Sequence, residues 1–366
     1  MDERHGRLAF PGTIVGMSHA SPGPRPVGLP DALVWPVRVD RAGESGPTRA
    51  QARSKAWRRT SQGLYVPSDT PQTVEQRIVE AGALLPSYGA ITGWAALRWL
   101  GGTWFDGTDA HGLRPVTLAL MDSSVRARPG VAISEERLDP TQIVPHAGIR
   151  VTTAAYALLF EIRHATTDRE ALVWADMAAY SDLVSRVELS KLASQCPGWD
   201  GIGRGRTTAD AMDENAWSPP EVDMRTTWVA RAGRPRPLTN RPVFDLNGRL
   251  IGTPDLIDPA AGVVGEYDSE LHLERSRRRK DIEREHWFQA VGLETVAMVT
   301  GEIAEPAQFI QRLHAAYARA ARRPASDRRW TIEPPSWWTP TFTVEQRRAL
   351  TEEQKVSWLR YRREAG

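Results

Sequence analysis

Glu221, Asp255, Glu266 and Asp268 are the residues of this chain whose types and spacing most clearly suggest chemistry. The segment from Asp258 to Gly262 reads as a reversal between two apolar runs, Leu250 to Ile257 and Val263 to Asp268. If Asp258 pairs with Val263 across that turn, antiparallel counting sets Asp255 directly opposite Glu266. Facing side chains lie about 5 Å apart, and alternation puts Asp268 on the same face as Glu266. Three carboxylates gathered in this way repel one another unless a divalent cation neutralises them. Mg²⁺, with Mn²⁺ as its substitute, takes such oxygen ligands, keeps several waters and accepts a substrate phosphate as a further ligand. The implied chemistry is hydrolysis of a phosphodiester, in which the cation polarises the phosphoryl oxygen and generates hydroxide. The competing expectation is that one acid sits at a solvated strand end and the trio never meets.

Several elements must form for these acids to be positioned. Ser218, Pro219, Pro220 and Glu221 have the order of a helix start, with a cap, then proline and an acid in the first turn. Val222, Met224, Arg225, Trp228 and Val229 continue that helix. Glu221 is equally an ordinary first-turn acid complementing the helix dipole. Val243, Phe244 and Leu246 then suggest a strand, Asn247-Gly248 a tight hairpin, and Leu250 to Ile257 the returning strand. After the acids comes a basic helix carrying Arg275, Arg277, Arg278, Arg279 and Lys280. Its arginines are candidates for backbone phosphate contacts. His286, Trp287 and Phe288 on the same helix read as packing.

Upstream, residues 1–30 lack a sustained apolar period and read as a loose arm. Val34, Val37 and Val39 suggest a short strand. Pro47 and Thr48 then open a basic helix, on which Arg49, Arg53 and Lys55 line an exposed surface and which runs into Trp57, Arg58 and Arg59. Ser61, Gln62 and Gly63 supply a hairpin turn before Leu64 to Val66, giving an order of helix then wing. Thr73 and Gln76 start another helix, and Trp94, Leu97 and Trp99 belong to the core of the next. Residues 116–151 alternate short apolar runs with turns, as in a small sheet, and residues 153–196 carry two or three helices. The glycines at 198, 201, 203 and 205 read as a linker, because no strand leads in and no lysine follows. Near the end, Pro334, Pro335, Trp337, Trp338 and Pro340 precede a helical tail. Packing back onto a domain, or forming a homodimer, explains that tail better than cofactor binding.

Composition narrows the classes. A chain of 366 residues is long enough for two or three compact domains. The hydrophobic share of 41% and charged share of 25% suit folded globular protein. No apolar run approaches the roughly 20 residues needed to span a bilayer, and a signal-peptide pattern is missing, so a cytoplasmic location without membrane contact is expected. Cys196 is the single cysteine, which excludes an intramolecular disulfide and a thiolate zinc site. A net charge of +2 does not itself imply nucleic acid, so binding would rest on local basic patches. Arginine supplies almost all of the positive charge, a bias that genome composition explains as readily as phosphate contacts do.

Three stretches, SPPEVDMR, GRLIGTPDLIDPAAGVVGEYDSELH and RRRKDIEREHWFQAVGLETVAMVT, resemble the very-short-patch-repair-like endonuclease domain of the PD-(D/E)XK superfamily, found in many actinobacterial proteins. The resemblance covers roughly residues 215–305. It implies that Asp255 and Glu266 are metal ligands, Asp268 a third acid, Glu221 the acid of the first helix, and His272 a nearby acid/base or substrate contact. Ser269 stands where that family usually has glycine. The superfamily's lysine, two positions after the glutamate, is replaced by Asp268, and Lys280 is either a migrated substitute or a solvated charge. The string WRRTSQGLYVP, followed by GAITGWAALRWLGG, resembles the winged-helix region of AbiEi-type antitoxin-like regulators. This implies that Arg49, Arg53 and Lys55 face DNA, with Arg58 and Arg59 near the wing. A degenerate winged helix that only contacts protein is the other reading.

The expected architecture is α+β and multidomain. A flexible arm spans 1–30, a winged-helix-like DNA-binding region 31–105, a central strand-plus-helical region 106–197, a linker 198–214, a restriction-endonuclease-like α/β/α domain 215–325, and a Pro/Trp segment with a helical tail 326–366. The expected function is a metal-dependent endonuclease delivered to DNA by the N-terminal region, in defence or repair. The alternative is a DNA-binding transcriptional regulator or antitoxin-like protein without turnover.

Overall fold

The computed structural model describes residues 33–121, 125–268, 286–360 and 362. His272, Arg275, Arg277, Arg278, Arg279 and Lys280 lie outside them. The chain is mixed α+β. Strands β1 (Val37–Arg38), β2 (Trp57–Ser61) and β3 (Leu64–Pro67) form a small antiparallel sheet in the order β1-β3-β2. Gly63 takes φ +74° in the β2–β3 turn, as the hairpin requires. The expected basic helix does not form. Thr48 caps only a three-residue 3₁₀ turn, Gln51–Arg53, and Trp57, Arg58 and Arg59 are strand residues. For Trp57, Arg58 and Arg59, helix propensity loses to pairing with β3.

Helix α1 (Val74–Gly82) starts at Thr73, whose hydroxyl accepts from Gln76 N–H. The Gln76 carboxamide is used elsewhere, bonding both the N–H and the C=O of Val34. Beyond it come β4 (Ala90–Thr92), α2 (Gly93–Trp99), a two-residue ladder β5 (Thr108–Asp109) and β6 (Gly112–Leu113), and strands β7 (Val116–Ala119), β8 (Val131–Ser134), β9 (Ile143–His146) and β10 (Ile149–Thr152). The longer strands make a five-stranded sheet ordered β8-β7-β4-β10-β9. Helices α3 (Ala154–His164), α4 (Asp168–Tyr180), α5 (Arg186–Gln195) and α6 (Ile202–Ala211) pack on it around one large core. α6 occupies the glycine run expected to be a linker. Gly205 explains why: a Cβ there would lie 2.7 Å from Leu159, so glycine allows α6 close approach to α3.

The remaining elements surround the acids. α7 (Pro219–Thr226) leads into a π-helical turn, Thr227–Arg231. Strands β11 (Leu238–Thr239), β12 (Val243–Asp245), β13 (Leu250–Gly252), β14 (Leu256–Asp258), β15 (Val263–Asp268) and β16 (Glu294–Val299) follow, then α8 (Ala307–Ala320), β17 (Trp330–Thr331), α9 (Val344–Arg348) and α10 (Glu352–Trp358). The run from Leu250 to Ile257, expected as one strand, breaks at Thr253-Pro254. β13 pairs with β12 in a sheet ordered β13-β12-β17, whereas β14 joins a sheet ordered β11-β14-β15-β16, with β15 and β16 parallel. Proline has no N–H to donate to a ladder, which suits the break between sheets.

Both faces of the four-stranded sheet are covered. Leu256, Val263, Val296 and Met298 pack with Met224, Trp228, Phe309 and Leu313 from α7, its extension and α8. Ile257, Val264 and Leu293 pack on the opposite side with Val243, Phe288 and Trp330. Gly265 lets β15 pass close to α7, since a Cβ there would meet Trp228 at 2.9 Å. Gly265→Ala is therefore expected to lower stability by about 1–3 kcal/mol in urea unfolding, and an unchanged midpoint would contradict this tight packing.

The C-terminal segment packs back on the chain. Trp338 meets Phe244 and Trp358 edge to face, and Arg347, 1% exposed, bonds Asp182, the Ala179 carbonyl and the Thr341 carbonyl. No described helix is long and apolar enough to cross a membrane.

Candidate acidic centre

Register around the Asp258–Gly262 turn matches the counting from sequence. Asp258 pairs with Val263, Ile257 with Val264 and Leu256 with Gly265, where the ladder stops; Asp255 lies one residue before β14, and the same count extended by one residue would set it opposite Glu266. Gly262 at φ +73° closes the turn. Asp255 Oδ2 accepts from Tyr267 N–H at 2.6 Å, which fixes the carboxylate against β15.

Asp268 behaves differently. It ends β15 opposite Val299 of β16 and is exposed, beyond the point where β14 still lines the other edge. Among the described residues no group of three or more His, Cys, Asp or Glu side chains could hold a metal ion. The three-way convergence of Asp255, Glu266 and Asp268 expected from alternation is thus not seen. Alternation gives the face but not the reach, and Pro254 ends β14 before it can flank Asp268.

The acid drawn toward Asp255 comes instead from α7. Glu221 is 6% exposed. Its Oε2 accepts from Trp217 N–H at 2.8 Å and Asn240 Nδ2 at 2.6 Å, and its Oε1 from Ser218 Oγ at 2.9 Å. Ser218 takes the cap position, yet its hydroxyl donates to this carboxylate and does not accept from the helix. Burial, followed by the negative charge of Asp255, pushes the Glu221 carboxyl up to about 8. Three donors are not enough to offset that desolvation.

Asn240 is the residue that sequence reasoning missed. It is 2% exposed, with a left-handed backbone at φ +45°. Its N–H donates to the Asp255 carbonyl at 2.9 Å, while Nδ2 serves Glu221 and the Asn215 carbonyl. Asn215 returns the contact, donating from Nδ2 to the carbonyls of Thr239 and Asn240. One asparagine therefore ties the Glu221 carboxylate to the Asp255 backbone. An isolated Asn before Arg241-Pro242 carries no local signal of that role.

A second polar set holds α7 itself. Arg225, one turn beyond Glu221 and 3% exposed, donates to Asp176 Oδ2 of α4 at 2.7 Å. In the opposite direction, Arg169 of α4 donates to Asp223 of α7 at 2.6 Å. Asp176, fully buried, is raised to about 6, first by burial and further by Asp213, against the pull of Arg225. Burial also opposes the charge of Asp213, but Arg225, the Thr239 hydroxyl and Asn215 N–H keep its carboxyl below the usual range.

The expected DNA-facing cations divide. Arg49, Arg53, Lys55 and Arg59 are exposed. Arg58 is committed to a bidentate pair with Glu80, at 3.0 and 2.7 Å, and is unavailable to phosphate. His286 and Trp287 are exposed while Phe288 packs beneath the sheet, so of these three residues only Phe288 is packing. Set against known proteins, the chain matches no family model, no curated protein and no solved structure.

Proposed function

We propose that the chain is a divalent-cation-dependent endonuclease acting on DNA, with a centre formed by Asp255 and Glu266 and supported by Glu221, in a domain related to the PD-(D/E)XK nucleases. The observation that carries this reading is the meeting of Asp255, whose carboxylate accepts from Tyr267 N–H beside Glu266, with the buried carboxyl of Glu221, which feels the Asp255 charge. Two carboxylates are a sufficient protein contribution for Mg²⁺, which is commonly held by one or two of them together with waters and substrate phosphate. The donor set of hard oxygens fits that ion, and Asp255 and Glu266 would hold it. When bound, it supplies Lewis-acid polarisation of the phosphoryl oxygen.

The chain's own residues set the rest. Tyr267 N–H orients Asp255, and Asn240 spaces Asp255 from Glu221. Burial and then the charge of Asp255 favour the protonated form of Glu221, which lessens the repulsion between the two acids. A second reading, a DNA-binding regulator without turnover, is favoured by Asp268 standing where the superfamily lysine is expected.

A supercoiled-plasmid assay with Mg²⁺ or Mn²⁺ separates the two. Cutting by wild type, lost by at least a hundredfold in Asp255→Ala and Glu266→Ala, is the expected result, on the order of one essential metal-centre contact. Salt-sensitive binding without metal-dependent cutting of any DNA or RNA would establish the regulator instead.

A further inference from the structure

The β1-β3-β2 sheet has two unlike faces. Leu64 and Val66 turn inward, 6% and 0% exposed. Their alternates, Tyr65 and Pro67, therefore face outward, and the register sets Val37 and Arg59 beside Tyr65 and Trp57 beside Pro67. Trp57 and Tyr65 are partly exposed, Arg59 is exposed, and neither ring belongs to a described hydrophobic core. Such diagonal neighbours lie about 7–8 Å apart, within the reach of two consecutive splayed bases.

Charge complements the rings. Residues 37–67 hold seven basic side chains, Arg38, Arg41, Arg49, Arg53, Lys55, Arg58 and Arg59, against Asp40 and Glu44, a local excess of five where the whole chain has only +2. Arg58 is spent on Glu80, but Arg59 on the outer face and Arg49, Arg53 and Lys55 in the segment leading into β2 remain exposed. Reading duplex with a helix in the groove is not open to this region, because the described residues before β2 offer only the 3₁₀ turn. Aromatic rings within a basic surface suit unpaired bases, because every base has a face to stack.

We propose that the outer face of this sheet docks single-stranded DNA, with Trp57 and Tyr65 stacking on successive bases and Arg59 contacting the phosphate between them. The choice of DNA rests on the nuclease reading above; the stacking surface does not.

The test is fluorescence anisotropy of the full chain with labelled oligo(dT) and with a duplex of equal length, in metal-free buffer at several salt concentrations. Oligo(dT) is expected to bind more tightly than duplex. Trp57→Ala should weaken it by about tenfold, with Trp57→Phe restoring most of the loss. Arg59→Gln, on an exposed side chain whose Nε donates to the Ser61 carbonyl, should reduce the salt slope by about 0.7. Tighter duplex binding, or unchanged oligo(dT) affinity in both Trp57→Ala and Arg59→Gln, overturns the proposal. Single-strand binding without metal-dependent cutting would overturn the nuclease reading alone, and cutting without single-strand binding would overturn the docking face alone.

Discussion

Arg225→Met is expected to destabilise the folded chain by about 3–5 kcal/mol at pH 8, the usual consequence of leaving a buried partner charge uncompensated. The partner is Asp176, fully buried and already raised to about 6 with Arg225 beside it. Removing the guanidinium takes away the largest influence that keeps this carboxyl ionised, so in the variant Asp176 must bind a proton or remain charged in a dry site. The penalty should therefore shrink at pH 5, where the carboxyl is neutral in either protein. Urea unfolding at the two pH values measures both the size and this difference. A loss below about 1 kcal/mol at pH 8 would place the pair among ordinary exposed ion pairs.

Glu221→Gln should act in the opposite direction, stabilising the chain at pH 8. Its folded carboxyl titrates near 8 against an ordinary value of 4.5. A raised carboxyl takes up protons on folding, so its favourable contribution is complete below about 4.5 and is lost as pH climbs through 8. Glutamine preserves the contacts. One amide oxygen accepts from Trp217 N–H and Asn240 Nδ2, and the amide nitrogen donates to Ser218 Oγ, whose hydroxyl can reverse its role. Wild-type stability should fall by up to about 4 kcal/mol between pH 5 and 8, and most of the fall between 6 and 8 should vanish in the variant. A residual slope between about 4 and 6 belongs to Asp176, whose shift has the same sign. Identical profiles for the two proteins would mean that Glu221 is not held as the geometry indicates.

What could be read from the sequence followed the range of the interactions. The turn at Asp258–Gly262 is local, so its length was enough to set Asp258 opposite Val263 and to fix the register of the strands that leave it. The start of α7 at Ser218-Pro219-Pro220 and the hairpin at Asn247-Gly248 were legible for the same reason. Asn240, Asn215, Asp176 and Arg225 were not, because the partners of their side chains lie 19 to 49 residues away and their types are ordinary in loops and helices. The two misread segments failed through tertiary context. Trp57, Arg58 and Arg59, at the end of the arginine-rich run, were claimed by a strand partner, and Gly205 of α6 is offset by close packing against Leu159. Asp268 shows the limit of periodicity, which assigns a face without saying where the neighbouring strand stops.

The reciprocal arginine pairs between α4 and α7 also bear on how such a chain can be rearranged by recombination. A breakpoint in the glycine run, where the sequence invites one, would carry Arg225 and Asp223 into one product and leave Asp176 and Arg169 in the other. Each half would inherit an unmatched charge at what had been a dry seam. The acidic centre is consequently a poor cassette for transfer to a new host protein, and the smallest heritable piece that keeps Glu221 in place includes the helices before it.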